Sequence, residues 1–121
     1  MSVINVLLAD DDSLLGSILT KELRTFGFSV DFVENGADAI SLLQKSKYDI
    51  AVLDIRMPKV DGFGVLSFIK KEYPATKTIM LTAYADLKHK IMSHDGGADE
   101  FMTKPYDLET LRYNIENLAH R

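Results

Sequence analysis

Cysteine is absent from this 121-residue chain, which excludes both a disulfide framework and a thiolate zinc site. Long apolar runs are missing too: each uninterrupted run ends after a few residues, whereas a bilayer span needs about 20. No membrane segment or membrane partner is therefore expected. Met1-Ser2-Val3 lacks the basic opening of a signal peptide, so a soluble, cytoplasmic protein is the expectation. No basic patch interrupts a net charge of −4. Phosphate-backbone contacts require such a patch, and direct nucleic-acid binding is not expected. Low-complexity tracts and blocks of one charge are likewise missing.

What remains is an ordinary globular composition, 46% hydrophobic and 26% charged, which argues against disorder. The length suits one domain over residues 1–121, enough to bury roughly two thirds of the unfolded surface. Short β-branched or aliphatic runs alternate with longer stretches of helical period, the pattern of βα units around a parallel sheet. Strands are predicted at Asn5 to Ala9, Ser29 to Val33, Asp49 to Leu53, Thr78 to Leu81 and Ala98 to Met102. Five strands and five helices make an α/β fold.

The first helix carries Leu14, Leu15, Ile18, Leu19, Leu23 and Phe26 as one predicted stripe, and Gly27 supplies a left-handed stop. Asn35-Gly36 suggests a hairpin, but Ala37, Ile40 and Leu43 follow at helical period, so a helix is predicted instead. The third helix presents Val65, Leu66, Ile69 and Tyr73 before Pro74 ends it. Leu108, Leu111, Ile115 and Leu118 define the last, with Asp107 as N-cap and His120 and Arg121 near its negative end. Between them the fourth helix, Asp86 to about Ser93, has few large apolar groups beyond Leu87, Ile91 and Met92. It is expected to be the most weakly held element.

The chemistry gathers where apolar runs end. Val6 to Ala9 leads into Asp10-Asp11-Asp12, Ile50 to Leu53 into Asp54, Ile79 to Leu81 into Thr82, and Phe101-Met102 into Thr103-Lys104-Pro105. Parallel strands bring their carboxyl ends to one sheet edge. Adjacent carboxylates cannot be buried unpaired, so Asp10 and Asp11 must meet water or a cation there, and Asp54 joins them. An oxygen-preferring divalent cation relieves the repulsion; Mg²⁺ takes one or two carboxylates, keeps water and leaves room for a phosphate oxygen, with Mn²⁺ as the alternative. Lys104 offers a compact positive charge and Thr82 a hydroxyl, both suited to a phosphoryl group in transfer. A carboxylate can itself be the nucleophile and form an acyl phosphate; Asp54, alone at its strand end, is the best candidate. Each element also has a plain structural role open to it: Asp12 or Ser13 can cap the first helix, and Asp54 or Lys104-Pro105 can belong to turns. Their joint occurrence at successive strand ends points to a site. His89, His94 and His120 have no partner at metal spacing and are read as solvated helix residues. Gly96-Gly97 and Asp61-Gly62 are read as closing and turn positions without chemistry.

VLLADDDSLL, VLDIRMPKVDGFGVL, IMLTAYA and GADEFMTKP, in this order and separation, resemble the receiver domain of bacterial two-component response regulators, over essentially the whole chain. The resemblance implies a doubly wound (βα)5, flavodoxin-like fold with a parallel sheet of order 2-1-3-4-5. It implies Asp54 as phosphoacceptor, Asp10 and Asp11 as the Mg²⁺-holding pair, Lys104 as the phosphoryl-contacting lysine and Thr82 as the hydroxyl that follows the phosphoryl group. Arg56 matches the residue whose backbone carbonyl completes the metal shell, its side chain free to tune phosphate lifetime. Lys104-Pro105 matches a cis peptide bond, and Phe101 an aromatic switch position, without the hydroxyl of the often-seen tyrosine. Tyr84, two residues beyond Thr82, is bulky enough to shade the site.

The expected function is a phosphorylation-dependent switch fed by a sensor histidine kinase or a histidine phosphotransfer protein. It would act on an output domain or downstream protein through the face of fourth helix, fifth strand and fifth helix, with a homodimer on phosphorylation as a further partner state. It is a regulator that catalyses only its own phosphorylation and dephosphorylation, not an enzyme in the ordinary sense. Two rivals stand beside it. A haloacid-dehalogenase-like phosphatase would use Asp10 as nucleophile, but the chain is short for it and no acidic pair follows Lys104. A receiver-like interaction module that is never phosphorylated would lack part of the acid pair, the Thr or the Lys.

Overall fold

The computed structural model describes residues 3–93 and 97–121. Five parallel strands, β1 (Asn5–Ala9), β2 (Ser29–Val33), β3 (Ile50–Asp54), β4 (Lys77–Thr82) and β5 (Glu100–Thr103), form one sheet in the order β2-β1-β3-β4-β5. The helices are α1 (Ser13–Thr25), α2 (Gly36–Lys45), α3 (Gly62–Glu72), α4 (Lys88–Ser93) and α5 (Leu108–Ala119), with a 3₁₀ turn, Ala85–Leu87, leading into α4. The fold is the flavodoxin-like α/β architecture expected. Its strand boundaries differ from the predicted ones by one or two residues in β3, β4 and β5, and β1 and β2 agree.

Strands read as near-continuous apolar runs because both sheet faces are covered. Alternation along each strand divides the core in two. Leu7, Ala9, Ala51, Leu53 and Met80 face α2, α3 and α4. Val6, Leu8, Val52, Ile79 and Leu81 face α1 and α5. Register pairs Ala9 with Leu53 and Asp54 with Leu81, so the ends of β1, β3 and β4 arrive at one level. The chain leaves β1 for β2 on one side and returns to β3 on the other, which opens a crevice at the carboxyl ends of β1 and β3.

The helix starts are built by side chains the sequence supplies locally. Asp12 accepts from Leu15 N–H at 3.0 Å to cap α1, Asn35 from Asp38 N–H at 2.8 Å to cap α2, and Asp61 from Gly64 N–H at 2.9 Å to cap α3. Asn35-Gly36 thus opens a helix, and Asp61-Gly62, read as a turn, is the start of α3. Asp107 occupies the N-cap position of α5 but its carboxylate accepts from the Thr110 hydroxyl rather than a backbone N–H. Gly27 takes φ +95° after α1, and Phe28 N–H reaches back to Leu23 C=O.

The predicted α1 stripe needs correction. The residues buried on α1 are Gly16, Leu19, Thr20 and Leu23, while Leu14 and Ile18 are 73% and 52% exposed. At about 100° per residue, positions 14 and 18 lie on the far side of the face centred on 16, 19, 20 and 23. Gly16 explains the offset: a Cβ there would sit 2.1 Å from the Phe32 ring, so the helix lies hard against β2 on that side. Among its described residues the fourth helix buries Ile91 alone, with Leu87 half-buried before it, in keeping with the expected weak hold. His94 and Gly96 lie outside the described residues.

Candidate functional site

Asp10 follows β1 directly and is buried. Its Oδ1 accepts from Asp12 N–H at 2.9 Å, a bond that turns the chain into α1, and its Oδ2 accepts from Lys104 Nζ at 2.9 Å. Asp54 is the last residue of β3; Oδ1 accepts from Ile55 N–H at 2.8 Å, and Oδ2 lies 3.4 Å from Lys104 Nζ. Gly62 lets the start of α3 lie directly against the end of β3, because a Cβ there would meet the Asp54 carbonyl oxygen at 2.3 Å. Asp11 is exposed beside them. Among the described residues, Asp10, Asp11 and Asp54 each present a carboxylate oxygen within 4.8 Å of the others.

The electrostatics follow from this crowding. Asp54 is pushed up to about 6, by burial first and by the Asp10 charge second, against the opposing pull of the Lys104 ammonium and the Ile55 N–H. Burial pushes the Lys104 ammonium down, but its bond to Asp10 and the charges of Asp54 and Asp10 more than reverse this, leaving it above its ordinary value. One cation thus serves two carboxylates while a third stands close. The donor set of Asp10, Asp11 and Asp54 is all oxygen, hard and anionic. These residues fit a Mg²⁺ ion, whose charge would lower the mutual repulsion that now raises Asp54.

Thr82 closes β4 and is fully buried; its Oγ1 accepts from Tyr84 N–H at 3.1 Å. Phe101 on β5 pairs in register with Met80 and packs half-buried against the α2–α4 side of the core. The Lys104–Pro105 peptide bond is cis. The fold therefore brings Asp10, Asp54 and Lys104 into contact, with Asp11 beside them and Thr82 one strand away. Arg56 and Tyr84, considered separately from sequence, meet: the guanidinium carbon lies 4.4 Å above the Tyr84 ring centroid. No sequence signal pointed to that contact, which depends on the paths of the two loops. Two further groups near the site escaped sequence reading. Lys90 of α4 stands 4.6 Å over the Phe63 ring of α3. Tyr106 lies close enough to the acids that burial and the Asp10 charge raise its hydroxyl, with Lys104 opposing.

A doubly wound sheet with acids, a hydroxyl and a lysine converging at its carboxyl edge defines a class of signalling module. Residues 6–116 match the family model described as the response regulator receiver domain, and the chain belongs to that family. It is 32% identical over its whole length to the transcriptional regulatory protein TcrA of Mycobacterium tuberculosis, covering 48% of that protein. It is 34% identical over 96% of its length to the response regulator protein PmrA of Pseudomonas aeruginosa, covering 52% of it. The chain thus spans about half the length of these curated relatives. Among solved structures it resembles the receiver domain of the Francisella response regulator 1452 (TM-score 0.89, 29% identity, 98% of each chain). It also resembles the response regulator TrrA of Thermotoga maritima in complex with Mg²⁺-BeF (TM-score 0.87, 31% identity, 96% of this chain and 99% of that one).

Proposed function

We propose that this receiver domain is a phosphorylation-dependent switch in which Asp54 accepts a phosphoryl group from a phosphohistidine, on a sensor histidine kinase or a phosphotransfer protein. The observation that carries the reading is the convergence of three carboxylates with Lys104 at the switch point of the sheet. An Asp54 carboxylate oxygen attacks phosphorus, the P–N bond breaks, and the donor imidazole leaves with the electron pair and takes up a proton. Asp10, Asp11, Asp54 and the Arg56 carbonyl would hold Mg²⁺, which supplies charge neutralisation at the phosphoryl oxygens. Lys104, already paired to Asp10 and Asp54, holds the incoming oxygens on the other side. The Thr82 hydroxyl is one strand away and turns toward the phosphoryl group once it is in place.

Exposed Leu14 and Ile18, and a groove of about 540 Å³ between α1 and the start of α5 lined by Leu15, Ile18, Pro105 and Leu108, adjoin Lys104. They give the donor protein an apolar landing surface beside the reacting atoms. The phosphoryl group on Asp54 carries about −1.5 to −2 charges, replacing the single charge of the carboxylate that accepts it and placing it farther out, on three oxygens. Thr82, Phe101 and the weakly held α4 respond, and the α4-β5-α5 face carries the signal to an output domain, a downstream protein or a second phosphorylated copy.

Incubation with Mg²⁺ and acetyl phosphate, followed by peptide mapping, tests this. The account expects the phosphoryl group on the peptide containing Asp54 and none in Asp54→Asn. A label on Asp10 supports a haloacid-dehalogenase-like phosphatase instead, and no label on any acid supports an interaction module that is never phosphorylated.

A further inference from the structure

Arg56 and Tyr84 sit on the two loops that flank the mouth of the site, one following β3 and Asp54, the other following β4 and Thr82. The Arg56 side chain crosses between them to lie over the Tyr84 ring, 4.4 Å from its centroid. Tyr84 is in turn tied to Thr82, since its N–H donates to Thr82 Oγ1 at 3.1 Å. Ring, backbone and hydroxyl therefore form one chain of contacts from the guanidinium to the buried end of β4. Arg56 is exposed, forms no hydrogen bond or ion pair among the described residues, and lines the same cleft of about 690 Å³ as Asp11.

We propose that Arg56 is a second phosphoryl-binding cation, held in reserve on Tyr84 and released to the phosphoryl group when Asp54 is modified. The reading rests on Asp54 as the phosphoacceptor. A guanidinium over an exposed aromatic ring is weakly held. The same group facing a phosphoryl oxygen makes charge-assisted, bidentate hydrogen bonds, which are stronger. A phosphoryl group on Asp54 emerges between the two loops the guanidinium already spans, so it competes for Arg56 and wins. Tyr84 then loses its partner, and the loop whose N–H holds the Thr82 hydroxyl is freed at the moment Thr82 must move. Lys104 meets the phosphoryl group from the other side and, being paired to Asp10 and Asp54 rather than stacked on Tyr84, cannot release that ring. Arg56 thus acts as a phosphoryl-contacting residue and Tyr84 as a positioning residue that opposes it.

The two residues have effects of opposite sign, which a merely structural role would not produce. The isotopically labelled 121-residue chain is titrated with beryllofluoride at saturating Mg²⁺. The Ile55 amide, bonded to Asp54, reports occupancy; the Arg56 Nε–H and the Tyr84 ring carbons report the stack. In the wild type all three move together. Arg56→Ala raises the half-saturating beryllofluoride concentration about tenfold, the scale of one lost charge-assisted contact, and Arg56→Lys falls between. Tyr84→Ala lowers it by a factor of about two to five by removing the competitor. An Ile55 response with Arg56 and Tyr84 unmoved overturns the proposal, as does weakening by both Arg56→Ala and Tyr84→Ala. A wild-type Ile55 amide that never responds overturns the phosphoacceptor reading itself, and this one with it.

Discussion

The two halves of the sheet's carboxyl edge, where the chain continues from β3 into α3 and from β4 into α4, are held in very different ways. On one side β1 and β3 sit between fully clad faces, and α3 buries five of its eleven residues, Gly62, Phe63, Val65, Leu66 and Ile69. On the other, the 3₁₀ turn buries none of its residues, and α4 buries Ile91 alone of its six. The acids stand on the firm half, Asp10 and Asp54 each fixed by a backbone N–H as well as by Lys104. Of the elements proposed to respond, α4 stands on the loose half, and Thr82, itself fully buried, leads the chain toward it. Phosphoryl chemistry depends on positioning, so its groups gain from rigidity. A switch needs an element with little to lose by moving, and a six-residue helix with one buried side chain is such an element. Lys104, leaving β5 to reach Asp10 and Asp54, is the tie between the halves.

The largest effects expected are those that contrast the two packings. Ile69→Ala should lower global stability by about 2–5 kcal/mol in denaturant titration. Ile91→Ala should cost less globally and act mainly as faster amide exchange within residues 88–93. Equal global losses would erase the contrast. Lys104→Met cuts the tie and leaves Asp10 buried without its cation, a loss of about 3 kcal/mol in metal-free buffer. Part of that loss should return with millimolar Mg²⁺ in a thermal melt, since the ion supplies the missing positive charge.

A somewhat smaller effect comes from pH. The unfolded Asp54 carboxyl titrates near 4 and the folded one at about 6, so between these values the folded chain keeps a proton that the unfolded chain has released. Stability of the metal-free chain should therefore fall as pH rises from about 4 to about 6, by roughly 2–3 kcal/mol, and level off above. The side chain is 12% exposed, so screening removes little of this. Denaturant titrations across that range check it, and Asp54→Asn should flatten the slope. A slope that persists in the variant would assign it to other groups.

Much of the fold was legible because its signals are local. Apolar runs of strand length, Asp12 as a cap, Gly27 as a stop and Pro74 as a break each act within a few residues of themselves; the caps at Asn35 and Asp61 went unread because each dipeptide with the following glycine also suits a turn. The acid cluster was legible in two steps: parallel strands bring their carboxyl ends to one edge, and the resemblance supplied the order that makes Val6–Ala9 and Ile50–Leu53 neighbours. The α1 stripe was not, because the buried face depends on where the helix lies against β2, and the absence of a side chain at Gly16 is what lets Phe32 decide that. Nor was the Arg56–Tyr84 stack, since it depends on the paths of two loops that no periodicity describes. The start of α4 as a 3₁₀ turn is a third case, set by how the chain leaves Thr82 rather than by the spacing of Leu87 and Ile91.

The claim on which the rest depends is that Asp10, Asp11 and Asp54 together bind a divalent cation. Thermal unfolding at pH 7 with and without millimolar Mg²⁺ tests it most directly, because a ligand that binds only the folded chain stabilises it by about 2.7 kcal/mol at a hundred times its dissociation constant. The account predicts a melting temperature that climbs with Mg²⁺ in the wild type and climbs far less in Asp11→Asn; a wild-type melting temperature that ignores the ion, or a rise that Asp11→Asn leaves intact, would contradict it.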